Sequence, residues 1–251
     1  MEHVGIQAVT DRVSDGANRQ PPVQRYPVIE GGELSEEAVS WLGRYYGALH
    51  GAVTAAGLRT VAVKDWPEMA PFDPDIPAGI WPAVSWLQDD GINVAPEGDV
   101  NGAVTMEILH RLTGQTPFFT DISAVDEAES SLTLWHYGGA PSLARSAEEI
   151  RFSADGRELE FTLKPGPAVL MRLGYSQGKY RLLLIEVEVL DRPLTLRRAA
   201  AQVRTVRTPA AEVVTELLSG GWEHHVSLVH GEAAEAVAAF GKLAGLTLTR
   251  M

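Results

Sequence analysis

PEGDVNGAVTMEILHRLTGQTPFFTDIS, residues 96–123, decides how the chain is read. Glu97 follows the apolar run 92–95 and stands just before a helix start. Asp99 can cap that helix, Val104, Ile108 and Leu112 recur on one face, and Gly114 stops it. Residues 118–122 then read as another strand, with Asp121 at its end. Strand, helix and strand at such short intervals imply βαβ units and a parallel sheet. Two successive strands of that sheet would bring Glu97 and Asp121 to one edge, where α/β sheets place their sites. Like charges that close repel unless a cation lies between them. The plainer readings are that Glu97 or Asp99 only caps the helix and that Asp121 caps the turn at Ser123.

The surrounding pattern extends this picture. Residues 1–34 are polar, turn-rich and poorly defined, and do not read as a domain. Ser35 looks like an N-cap, with Glu36 and Glu37 in the first turn, and Val39, Leu42, Tyr46, Leu49 and Val53 form a helical stripe ended by Gly57. Residues 60–63 suggest a short strand, 67–82 are proline-rich, and 84–87 suggest a helix. Residues 35–125 thus read as a partial, Rossmann-like parallel α/β domain carrying the two acids. The pattern changes near residue 125. Strands at 131–135, 158–163, 167–173 and 179–190 alternate with turn residues such as Ser176, Gln177 and Gly178, which predicts antiparallel hairpins and a barrel. The last quarter adds a helix at 209–218, a strand at 225–229, a helix at 232–244 and a strand at 246–249. Residues 126–251 therefore read as an antiparallel β-barrel-like domain.

The bulk numbers exclude several function classes. A chain of 251 residues with 45% apolar content can bury a sizeable core. A formal charge of −12 argues against a nucleic-acid surface, which needs clustered basic charge. Cysteine is absent, so thiolate ligands, disulfides and cysteine nucleophiles are excluded. No apolar run approaches the ~18–20 residues of a membrane span. The N-terminus has no signal pattern, so cytoplasm is the expected location. The phosphate-loop, dinucleotide and nucleophile-elbow motifs are missing.

Histidines supply the rest of the chemistry. Three of the chain's seven fall in GWEHHVSLVHG, residues 221–231. If a strand starts there, His224 and His225 point to opposite faces and only one meets the carboxylates. His136, in LWHYGG, is either a further ligand or a hydrogen-bonded core residue. Trp222 and Trp66 are candidate substrate contacts. Carboxylates with neutral imidazole suit Mn²⁺, Co²⁺, Mg²⁺ or Fe²⁺, though the spacing matches no short zinc signature. Arg197, Arg198, Arg204 and Arg207 read as a solvated face, or alternatively as a phosphate or sulfonate subsite.

Four stretches taken in order resemble the C-terminal half of the L-fucose/L-arabinose isomerase superfamily: AVKDWPEM (62–69), DDGINVAPEGDVNGAVTMEIL (89–109), PFFTDIS with LWHYGGAP (117–141), and GGWEHHVSLVHG (220–231). The resemblance implies metal ligands at Glu97, Asp121 and His225, with His136 a fourth ligand or a substrate contact. It implies a Mn²⁺-type cofactor, a small neutral sugar substrate, and cis-enediol proton transfer in which Glu97 and Asp121 act as acid and base. It also implies a homo-oligomer whose sites are completed by neighbouring subunits. Asp65 and Pro96 stand where relatives often carry cysteine, but neither is a ligand position. Relatives have further α/β domains upstream. The competing expectation is therefore a catalytically inactive or truncated metal- or sugar-binding subunit beside a longer partner.

Overall fold

The computed structural model describes residues 9, 11–13, 15–16, 18–29, 32–65, 78–153, 156–193 and 196–251. Trp66 and most of the proline-rich run lie outside them. Helix α1 (Glu36–Ala55) starts where expected, with Ser35 Oγ accepting the Ala38 amide hydrogen at 3.1 Å. Gly57 follows it at φ +66° and ends it. Strand β1 (Thr60–Ala62), helix α2 (Trp81–Asp89), strand β2 (Asn93–Ala95) and helix α3 (Val100–Thr113) follow in order. β1 and β2 pair in parallel, Val61 opposite Val94.

There the parallel sheet stops. Strand β3 (Phe118–Asp126) does not join β1 and β2, so the expected continuation of a Rossmann-like sheet into residues 118–122 is absent. β3 is instead the first strand of a barrel, and its partners are antiparallel. The remaining strands are β4 (Ser131–His136), β5 (Arg151–Phe152), β6 (Leu159–Thr162), β7 (Gly166–Ser176), β8 (Lys179–Val189), β9 (Ala199–Thr205), β10 (His225–His230) and β11 (Thr247–Arg250). Six of them close a ring in the order β8, β7, β10, β3, β4, β9 and back to β8, every pair antiparallel. β11 flanks β8, β6 flanks β9, and β5 pairs with the outer side of β6. The β7–β8 hairpin turns on Gln177 and Gly178, both in the left-handed region that a two-residue turn requires.

Alternation along each strand sorts side chains into two layers. Phe118, Leu132, Leu134, Leu170, Leu183, Ile185, Ala201, Val203, Val226 and Leu228 are fully or almost fully buried in the main core, which the barrel shares with α1 and α2. Their neighbours along the strands face outward and are covered. Met171, Leu173 and Val229 pack with Leu109 of α3, and with helix α5 (Ala234–Leu243) through Val237. Phe119 packs with Ala103 and Met106 of α3. Helix α4 (Ala210–Ser219) contributes Ala210 and Val213 to the main core. Each large apolar side chain so buried contributes about 1.5–3 kcal/mol. The functional consequence is directional: the barrel interior is packed with side chains, and α3 is pressed against its outer wall at β3, β10 and β7. Among the described residues no helix is long and apolar enough to cross a membrane.

Phe118→Ala should lower unfolding stability by about 3–5 kcal/mol. Val125→Ala, on the half-exposed far end of the same strand, should change it by no more than about 0.5 kcal/mol. Urea unfolding followed by circular dichroism checks both, and equal effects would contradict the inside–outside assignment.

Candidate metal centre

The acids meet, but not at a parallel sheet edge. Asp121 lies on β3 directly opposite His225 of β10 on one side and Trp135 of β4 on the other. Directly opposed residues share a face, so these three project from the outer wall toward α3. Glu97 arrives from the β2–α3 turn. Its φ is +59°, a left-handed backbone that side chains other than glycine adopt at a cost. Two bonds hold it there: its amide donates to Asp65 Oδ1 at 2.6 Å, and Tyr137 Oη donates to its Oε1 at 2.6 Å. Asp65 is buried and also accepts from Trp81 Nε1 at 2.8 Å. Burial raises its pKa, only partly offset by those hydrogen bonds. Burial, the neighbouring Asp65 charge and the bond to Glu97 push the Tyr137 phenol far up, so it stays a donor.

Asp99 does more than cap. Its Oδ1 accepts the Gly102 amide at 2.8 Å. The buried Arg172 guanidinium donates to both carboxylate oxygens, and His225 Nδ1 stands 3.0 Å from Oδ2. Burial alone would raise the Asp99 pKa, but His225 and Arg172 outweigh it and hold the carboxyl well below the usual range. An ionised carboxylate can only accept, so His225 Nδ1 carries the hydrogen and its Nε2 presents a lone pair. That nitrogen lies 3.6 Å from Glu97 Oε2 and 3.7 Å from Asp121 Oδ1.

His136 is set the same way. It is fully buried, and its Nδ1 donates to the Tyr137 carbonyl at 2.9 Å. Its Nε2 faces Glu97 Oε1 at 3.9 Å. The Phe119 ring packs beside both imidazoles, 4.9 Å from His136 and 4.3 Å from His225, which are 5.4 Å from each other. His136 Nε2, His225 Nε2 and Asp121 Oδ1 are all buried atoms with no hydrogen-bond partner among the described residues. Burial raises the Asp121 pKa, against the pull of His225 and His224. Acceptors facing acceptors without a proton between them is a costly arrangement. A cation removes the cost, so this donor set fits a divalent ion. Two overlapping groups have ligand atoms within 4.8 Å of one another: Glu97, His136 and His225, and Asp121, His224 and His225.

The sequence offers His224 as a possible metal or substrate contact, and its Nε2 lies 3.9 Å from Asp121 Oδ1 and its ring 3.9 Å from that of His225. Strand alternation does not bind it, because β10 begins at His225. Trp222 is committed elsewhere: it is buried, its indole nitrogen donates to Glu216 at 3.2 Å, and Arg181 sits 3.8 Å over its ring. Asp99's second role, Arg172 and Tyr137 escaped the sequence reading. The available signal was a lone arginine inside the apolar run of β7.

Fold and side chains together define a barrel protein with a carboxylate–imidazole centre on its outer wall. No family model matches the chain. The chain is similar to sugar isomerases. It is 30% identical over 223 residues to a sulfoquinovose isomerase of Alkalicoccus urumqiensis, covering 86% of this chain and 49% of that protein. It is 27% identical over 219 residues to one of Priestia aryabhattai (84% and 48%) and 30% identical over 208 residues to one of Clostridium sp. strain MSTE9 (80% and 46%). The chain spans about half the length of the curated relatives it matches.

Asp99→Asn should weaken Mn²⁺ binding about 10- to 100-fold by loosening His225, read by titration calorimetry. Unchanged affinity would remove Asp99 from the centre. The pH dependence carries a separate expectation. Burial lowers the His136 pKa from 6.5 to about 3. The unfolded chain takes up that proton near pH 6.5 while the folded chain does not. Stability of the metal-free protein is therefore lost as pH falls from about 6.5 toward 3, by at most ~1.4 kcal/mol per pH unit from this group. His136→Phe should flatten the difference between urea unfolding curves at pH 6.5 and 5.

Proposed function

We propose that the chain carries the centre of a divalent-metal-dependent aldose–ketose isomerase acting through a cis-enediol. The substrate is a sulfonated aldose of the sulfoquinovose type rather than the small neutral sugar that the resemblance implies. The observation that supports this most is the convergence of two carboxylates with two imidazole nitrogens that lack any other partner. Glu97, Asp121 and His225 would hold the ion, with His136 or His224 completing the shell. A bound Mn²⁺, Co²⁺ or Mg²⁺ would polarise the substrate's carbonyl and neighbouring hydroxyl.

The chain's own groups divide the remaining work. Isomerisation removes a proton from C2 and delivers one to C1, so one group must be base and then acid at neighbouring carbons. Glu97 and Asp121 are the candidates. The Tyr137 hydroxyl fixes Glu97 Oε1 and leaves Oε2 directed at the centre. Phe119 and the barrel wall exclude water behind the imidazoles. A mechanistic kinship with the L-fucose/L-arabinose isomerases belongs to the same proposal.

A second reading has its own support. The chain covers about half of each relative, and the centre lies open, with the His224 side chain 72% exposed. On that reading the chain binds metal or sugar without turnover and works as one part of a larger or oligomeric assembly. Glu97→Gln and Asp121→Asn should each lower the isomerase rate at least ~10²-fold and remove Mn²⁺ binding with it. Full metal occupancy in the double variant would overturn the ligand assignment. Mn²⁺ and sugar binding in a wild-type chain that gives no ketose would favour the second reading.

A further inference from the structure

Arg198 stands apart from the other arginines of its stretch. Arg204 and Arg207 make exposed ion pairs with Glu188 and Glu186, as a solvated face should. Arg198 is four-fifths buried and lies against three rings: 4.4 Å from Trp135, 5.2 Å from Tyr137 and 5.4 Å from Trp81. Trp81 and Tyr137 are themselves stacked at 3.9 Å. Its φ is +74°. Among the described residues only four non-glycine positions are left-handed. Ser130 and Gln177 sit in hairpin turns, whereas Glu97 and Arg198 flank Tyr137. Strain held in place by surrounding packing clusters at functional sites.

The position matters for chemistry. Trp135 shares the outer face with Asp121, directly opposite it in the sheet, and Tyr137 bridges to Glu97. The guanidinium is thus one side chain away from each acid. Nε pairs with Glu158 at 2.5 Å, and the terminal amino groups make no hydrogen bond among the described residues. Cation–π contacts and one anchoring carboxylate fix the plane and leave the outer edge of the fork available. A tetrahedral oxyanion accepts two parallel N–H bonds from such an edge. An anionic sugar also needs a local cation here, because Glu97, Asp121, Asp99 and Asp65 would otherwise repel it, as would a chain of net charge −12.

We propose that Arg198, held in its cage of Trp81, Trp135 and Tyr137, binds the anionic substituent of the sugar whose C1–C2 end lies at Glu97 and Asp121. The inference rests on the isomerase reading and assigns its substrate class: aldoses carrying a distal sulfonate or phosphate. The two anions share their oxygens and differ in charge, so both are tested. Binding of sulfoquinovose, glucose 6-phosphate and glucose to the Mn²⁺-loaded protein is measured by calorimetry, alongside turnover of each. Wild type should prefer an anionic sugar to glucose. In Arg198→Met that preference should fall about 10- to 100-fold, and Arg198→Lys should restore part of it. Removing the cation takes one partner from Glu158, so Arg198→Met is also made with Glu158→Gln, and the same collapse of preference is expected. A larger loss with sulfoquinovose identifies the sulfonate, and a larger loss with the phosphate ester identifies phosphate. A wild-type preference that survives in both variants overturns the assignment, as does an equal loss for charged and neutral sugars. Turnover of glucose without any preference for the anions also overturns it, and the sulfonated substrate with it, while leaving the metal-dependent aldose–ketose isomerase chemistry intact. Absence of binding and turnover with every sugar removes that reading and this inference together.

Discussion

The register of β10 on β3 is the constraint from which the centre follows. His225 pairs with Asp121, and Val226 pairs with Thr120. A slip of one residue would turn every side chain of β10 to the opposite face. Val226 and Leu228 would leave the main core, and His225 would point into the barrel. The apolar residues of β10 therefore fix the orientation of its histidine. The strength of the register comes from burial, and the chemistry inherits it.

The second anchor is Asp99. One carboxylate accepts from the first turn of α3, from Arg172 on β7 and from His225 on β10. It binds a helix end and two barrel strands to one point. Arg172 is almost wholly buried, and a buried cation without its partner costs several kcal/mol. The network is complete or strongly unfavourable, so the helix cannot drift from the wall without breaking it. Glu97, two residues upstream, is thereby carried to the same place.

Much of this was legible and some was not. Caps at Ser35 and Asp99, the stops at Gly57 and Gly114 and the Gln177–Gly178 hairpin are local signals with local causes, and they appear where the residues place them. The partnering of β3 is a non-local choice. Phe118–Asp126 carries the apolar, β-branched composition of any buried strand, and nothing within it says parallel or antiparallel. β9 escaped notice for another reason. Its Ala199, Ala200 and Ala201 have weak strand propensity, yet a small side chain suits Ala199, which packs so close to Gly139 that a Cβ on that glycine would stand 2.8 Å from it. The acids and His225 were read from resemblance and strand ends together. Their true meeting point, outside a barrel and beside a helix, depends on packing that no local pattern encodes.

The closure of the barrel also bears on how the molecule is made. β4 joins β9, and β3 joins β10, across long intervening stretches of chain. Contacts so remote in sequence put a β-protein among the slow folders, on the millisecond-to-second scale. A nascent chain cannot assemble the β3–β10 pair until residue 225 and its neighbours have been synthesised. Up to that point the carboxylates and imidazoles are separate groups on a flexible polymer, unable to capture an ion cooperatively. Maturation of the centre is in this sense a late event, gated by ring closure.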